Sequence, residues 1–263
     1  MENAKRELLH HTGKQAHRTR WTFAALVLAA LTLSVVDPAM SAYPKTIQFA
    51  GYEWYVKTSA GKVGPGPNLF SDSADNVWVD ALGQLHLRIT RRGSRWYCAE
   101  VISKVSFGHG TYRWYIVSPV GSLDQEAVLG LFTWNDDPAY NNREIDIEFA
   151  RWGIAANQNA QYVVQPFDVA GNILRWNMPV QIAQSTHSFK WLPDSVAFQS
   201  VSGLFDIPPD PSYVLQQGIA TNGIPPAGGE NARANLWLYR GRKPSTNASV
   251  EVVMKSFEFV PAN

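Results

Sequence analysis

Apolar and polar residues alternate along this chain with a period of two, and no helix-length period of three to four is sustained. In DNVWVDALGQLHLRIT, Val77 and Val79 alternate, Leu82-Gly83 turns the chain, and Leu85, Leu87 and Ile89 alternate again. Such alternation marks strands with one buried face. Further strands are predicted at 96–104, 111–118, 127–134, 143–150, 160–166, 172–176, 187–192, 195–200, 233–239 and 250–259. Many short strands joined by turn residues predict an all-β sandwich or jelly roll. The Pro- and Gly-rich stretch 206–232 reads as a long surface loop. No internal repeat and no domain linker interrupts the pattern, so residues 43–263 are expected to form one domain.

The first 42 residues stand apart from that pattern. Lys5, Arg6, Lys14, Arg18 and Arg20 precede the apolar run WTFAALVLAALTLSVV, and PAMSA follows with small residues suited to cleavage. This is the layout of a secretion signal, and the run is short for a bilayer span of roughly 20 residues. An uncleaved anchor is the alternative, favoured by the long basic front. The expectation is a secreted protein, extracellular or periplasmic, whose mature part needs no membrane.

Composition narrows the partners. Hydrophobic residues make up 45% of the 263 and charged ones 17%, which suits a packed core rather than disorder. Without 1–42 the net charge falls from +1 to −1, and no basic tract is left for a nucleic acid. Cys98 is the single cysteine, so no internal disulfide can form. His86, His109 and His187 are scattered, with no zinc-like spacing. Ten Trp hint at surfaces that stack on something flat, although Trp also serves cores.

The stretch REIDIEF, 143–149, carries the chemistry. In a strand, Glu144, Asp146 and Glu148 share one face while Ile145, Ile147 and Phe149 share the other. The apolar trio must face a core, which pins the register and holds the acids together. Same-face neighbours lie roughly 6.6 Å apart along a strand. Paired carboxyls suit glycoside cleavage, at roughly 5–5.5 Å in retaining enzymes and roughly 6.5–9.5 Å in inverting ones. A third acid between them raises its neighbours' pKa by repulsion and can share a proton. Two alternatives stand: a solvated sheet face balanced by Arg143 and Arg151, and a calcium site, for which one stiff strand makes a poor cage.

Five segments in order resemble glycoside hydrolase family 16, the lichenases, laminarinases and their relatives. EIDIEF resembles the active-site strand. CAEVISKVSFGHGTYRWYIVSP (98–119) is similar to the family's Cys-Ala-Glu segment and Gly-x-Gly-x-Tyr turn. GLFTW (130–134), FKWLPDSVAF (189–198) and IPP…NLWL (224–238) resemble three further family segments. The matches span roughly 70–259.

The resemblance implies a concanavalin-like jelly roll of two curved antiparallel sheets, and retention by double displacement. It implies Glu144 as nucleophile, Glu148 as general acid/base and Asp146 as the helper between them. The uninterrupted E-x-D-x-E spacing is the lichenase-like form. Family substrate contacts fall on Phe132, Trp134, Asn235 and Trp237, and a family Asn and Tyr fall on Val163 and Gln165. Where lichenases place Glu and Arg after Gly-x-Tyr, this chain has Arg113 and Tyr115. Where they have Trp and Asp ahead of the first catalytic Glu, it has Asn142 and Arg143. The subsites are therefore expected to differ.

The expected partner is a β-linked polysaccharide, such as a β-glucan, met by a monomer without a cofactor. The strand at 250–259 lacks the Asp the family uses as a calcium ligand, and Cys98 is expected to be a buried free thiol. A glycan-binding module without hydrolysis, and a transglycosylase remodelling wall or capsule glycan, are the other readings.

Overall fold

The computed structural model describes residues 43–262; the predicted secretion signal lies outside the described residues. Sixteen strands follow one another. They are β1 (Thr46–Phe49), β2 (Tyr52–Val56), β3 (Leu69–Phe70), β4 (Val77–Val79), β5 (Leu85–Arg92), β6 (Arg95–Ser103), β7 (Gly110–Ile116) and β8 (Ala127–Trp134). Then come β9 (Ile145–Ala150), β10 (Ala160–Val164), β11 (Ile173–Trp176), β12 (Ser185–Leu192), β13 (Ser195–Ser202), β14 (Val214–Ala220), β15 (Asn231–Leu238) and β16 (Val250–Pro261).

Two antiparallel sheets result. One runs β11-β10-β9-β8-β15-β6, with β2 and β1 continuing beyond β6. The other runs β5-β16-β7-β12-β13-β14, with β4 against β5. The two meet where the first half of β6 pairs with β5.

The core lies between the sheets. Ile145, Ile147 and Phe149 enter it from β9, Leu129 and Leu131 from β8, and Trp114, Phe189 and Trp191 from the second sheet, all fully buried. The alternation in REIDIEF therefore has the predicted cause: one face is held by packing, which turns the acids outward. His187 lies beneath Phe149, ring centroids 4.6 Å apart, between the hydroxyls of Ser185 and Ser200. Burial lowers its pKa to about 3, so it is a neutral core residue. Cys98 is a buried free thiol, and burial pushes its pKa to about 12.

The structure corrects two expectations. The stretch 206–232 is not one loop, because β14 lies inside it and pairs with β13. As an edge strand with mostly half-exposed residues, β14 has little apolar alternation to reveal it. The acidic strand begins at Ile145 rather than 143. Tyr140, Asn141, Asn142 and Arg143 all have left-handed backbone, with φ of 53°, 52°, 59° and 52°. That turn is disfavoured for side chains with a Cβ. It delivers the chain to Glu144, which is already extended.

Candidate active site

The outer face of the first sheet carries polar residues in rows across its strands. Register places Glu100, Asn235, Gly130, Glu148, Gln161 and Arg175 side by side on six successive strands. The next row contains Arg233, Phe132 and Asp146. A cleft of about 340 Å³ lies over these rows. Glu144, Asp146 and Glu148 line it together with Phe132, Trp134, Asn235 and Trp237.

Gly130 makes room at the centre. A Cβ there would come within 2.6 Å of Asn235 Oδ1, so any side chain would push Asn235 out of the row. Asn235 Nδ2 donates to Glu100 Oε2 at 3.4 Å, which leaves Oδ1 without a partner among the described residues. An amide oxygen held in this way can accept from a sugar hydroxyl.

Burial and mutual repulsion govern the acids. Glu144 is pushed up to about 7, first by burial and then by the charge of Glu148, while a hydrogen bond with Asp146 and the charge of Arg233 pull it back. Asp146 is raised well above the ordinary carboxylate range by burial and by both glutamates. A hydrogen bond between these two carboxyls needs a proton between them; it raises Asp146, the donor, and favours the ionised form of Glu144. Glu148 is also pushed to about 7 by burial, against the Gln161 hydrogen bond and the charge of Arg175. Of the two alternatives weighed from sequence, the solvated face fails: Asp146 is 5% exposed.

A second charge cluster forms the far wall. Glu100, 1% exposed, takes Lys57 Nζ at 2.8 Å and Arg233 Nη1 at 3.6 Å. Arg233 Nη2 also reaches Asp136 at 3.4 Å, and Trp134 Nε1 donates to the same Asp136 Oδ1 at 2.8 Å. Tyr43 and Pro65 close over this side.

Gln165 is not brought to the cleft. Its backbone N donates to Glu144 O at 3.1 Å and its side chain caps Phe167 N, so it lines an adjoining groove. Val163 opposes Asp146 and is buried, while the amide beside Glu148 is Gln161, two residues earlier than the Val163 position. Arg113 and Tyr115 are not subsite positions. Both sit on the outer face of β7 in the second sheet and bond Glu258. Reasoning from sequence passed over Lys57, Glu100, Gln161, Arg175 and Arg233. Arg233 was within reach, since it alternates in phase with Asn235 and Trp237.

Arg143 is explained by the loop it holds. Its Nε donates to Pro226 O at 3.0 Å, its guanidinium lies 5.1 Å from the Tyr140 ring, and Asn135 Nδ2 reaches Gly228 O at 2.9 Å. The left-handed turn thus ties the Pro225–Gly229 loop to the end of the acidic strand.

No protein-family model and no curated protein matches this chain. Solved structures do. A Bacillus licheniformis β-glucanase is 20% identical, with a TM-score of 0.59 over 80% of this chain and 92% of its own. A pseudo β-1,3-glucanase and immunostimulatory antigen of Mycobacterium tuberculosis is 20% identical, with a TM-score of 0.60 over 80% and 91%. A β-1,3-glucanase from Mycobacterium marinum is 15% identical, with a TM-score of 0.57 over 79% and 90%. The fold is therefore the jelly roll of the β-glucanases, which is the fold the sequence resemblance implied.

Proposed function

We propose that this chain is a secreted, retaining glycoside hydrolase that cuts O-glycosidic bonds within a β-linked polysaccharide, a β-glucan in the first instance. One observation carries the reading: two glutamates flank a buried aspartic acid on the floor of one cleft, where burial raises all three carboxyls and brings both glutamates to about 7. A general acid works best with a pKa close to the working pH.

In the first step the Glu144 carboxylate attacks the anomeric carbon and forms a glycosyl ester. The bond to the leaving oxygen breaks, and that oxygen takes the proton of Glu148. In the second step Glu148 takes a proton from water, water attacks the same carbon, and the Glu144 ester is released. Asp146 holds Glu144 ionised through its hydrogen bond, while Trp134 and Trp237 offer ring faces for sugars to pack on.

A glycan-binding module without turnover is the second reading. The similarity to a protein described as a pseudo β-1,3-glucanase favours it. Reducing-end release across a panel of neutral and acidic β-glucans decides between them. Release that disappears in Glu144→Gln supports the hydrolase, and binding without release anywhere supports the module. Products elongated on added oligosaccharide acceptors identify a transglycosylase.

A further inference from the structure

A second groove, of about 800 Å³, continues from the cleft past Glu148 and Trp237. Glu148 lines it and Glu144 does not. In double displacement the nucleophile faces the sugar that is retained and the general acid faces the leaving oxygen. On the hydrolase reading, a groove lined by the acid alone holds the leaving-group side.

It holds one charged group of each sign. Glu148 is the single carboxylate among its described lining residues, and Arg175 is the single cation. Arg175 is held in place, because its Nε donates to Gln161 Oε1 at 3.1 Å. Its two Nη atoms have no hydrogen-bond or ion-pair partner among the described residues. An anchored guanidinium with a free Nη pair has lost much of its conformational freedom and still presents a planar fork for two acceptor oxygens. Gln161 stands between Arg175 and Glu148 and takes up both of them, Glu148 through its Nε2. Trp152 and the Phe167 ring, 57% exposed, supply flat apolar surface along the same groove. By contrast, Lys57 and Arg233 in the main cleft are already matched by Glu100 and Asp136.

We infer that the leaving-group side binds an acidic sugar, whose anionic group is received by Arg175. The inference rests on the hydrolase reading for the identity of the side, and on the free guanidinium for the charge. The main cleft, whose cations are already matched, then holds the retained sugars, so the preferred polymer carries acidic residues at intervals. Carboxylate and sulfate ester share this chemistry.

The test uses the purified protein with a neutral β-glucan, the same glucan partly oxidised to glucuronate, and the same glucan partly sulfated. The readout is the ratio of kcat/KM on each acidic polymer to that on the neutral one, at low and high salt. A ratio of about ten or more is expected on one acidic polymer, falling at high salt. The polymer that shows it identifies the anion. Arg175→Gln should bring the ratio to about one, and Arg175→Lys should restore part of it. A wild-type ratio near one on both acidic polymers, or a ratio unchanged by Arg175→Gln, overturns the inference.

Calorimetry of glucuronate-containing and sulfated oligosaccharides on Glu144→Gln, with and without Arg175→Gln, reads the same site without turnover. Loss of about tenfold in affinity with the second substitution supports the inference, and no loss overturns it. If no polymer is cut at all, the hydrolase reading fails and the calorimetric arm alone decides the charge preference.

Discussion

Gln161 lies directly across the ladder from Glu148 and donates Nε2 to its Oε2 at 2.6 Å. Arg175 occupies the Gln161 oxygen, so the amide cannot turn over without losing that bond. A fixed donor favours the ionised carboxylate and holds Glu148 below the value burial alone would set. Gln161→Ala removes the donor, and the pKa of Glu148 should rise. The general acid would then stay protonated to higher pH, moving the alkaline limb of kcat/KM upward by about half a unit to one unit. An unmoved alkaline limb in a folded variant would show that the bond only packs the strand.

Asp146 offers a sharper comparison. Its carboxyl is raised well above the ordinary range and is the donor in its hydrogen bond with Glu144, so an amide reproduces both its shape and that donated bond. Asp146→Asn is expected to keep activity within about tenfold of the parent, whereas Asp146→Ala should lose about a hundredfold. The alanine variant should also shift the acidic limb upward, since Glu144 loses the hydrogen bond that lowers its pKa. Equal losses in both variants would mean that the aspartate acts as a charge rather than as a donor.

The buried acids tie stability to pH. Glu148 binds its proton with a pKa of about 7 when folded, against an ordinary 4.5, so the folded state holds the extra proton between those values. That contribution is fully present below 4.5 and is lost as pH rises through 7. Glu148→Gln should therefore be more stable than the parent at pH 8, on the order of 1–3 kcal/mol, and the gap should narrow toward pH 4. His187 acts in the opposite sense, since its pKa near 3 when folded withdraws stability as pH falls below 6.5. Melting temperatures of the parent and Glu148→Gln between pH 4 and pH 8 check both signs. A gap that widens toward low pH would contradict the assignment.

The part of the site that lies along one strand was legible before the fold was known. Alternation from the extended Glu144 into β9 places the three acids on one face, and alternation in β15 does the same for Asn235 and Trp237, because a strand's period needs no tertiary information. What lies across strands was hidden. Glu100, Asn235, Glu148, Gln161 and Arg175 form a row only after the register of neighbouring strands is set, and no two of them are closer than 13 residues in sequence. Arg113 and Tyr115 show the same limit from the other side. Their strand was correct, but reading them as subsite positions was not, because a polar outer face looks alike on both sheets. The turn at Tyr140–Arg143 escaped because nothing in its side chains requires a left-handed backbone. The loop it grips supplies the reason.

One topological fact reaches into how the protein is made. β16 follows all the other strands in sequence, yet it lies between β5 and β7, where it bonds both. Until residues 250–261 have been synthesised, β5 and β7 face each other across a missing strand and half of the sandwich cannot close. A chain emerging from the ribosome would carry its buried faces open for most of its synthesis, exposed to aggregation and dependent on long-range pairing to finish.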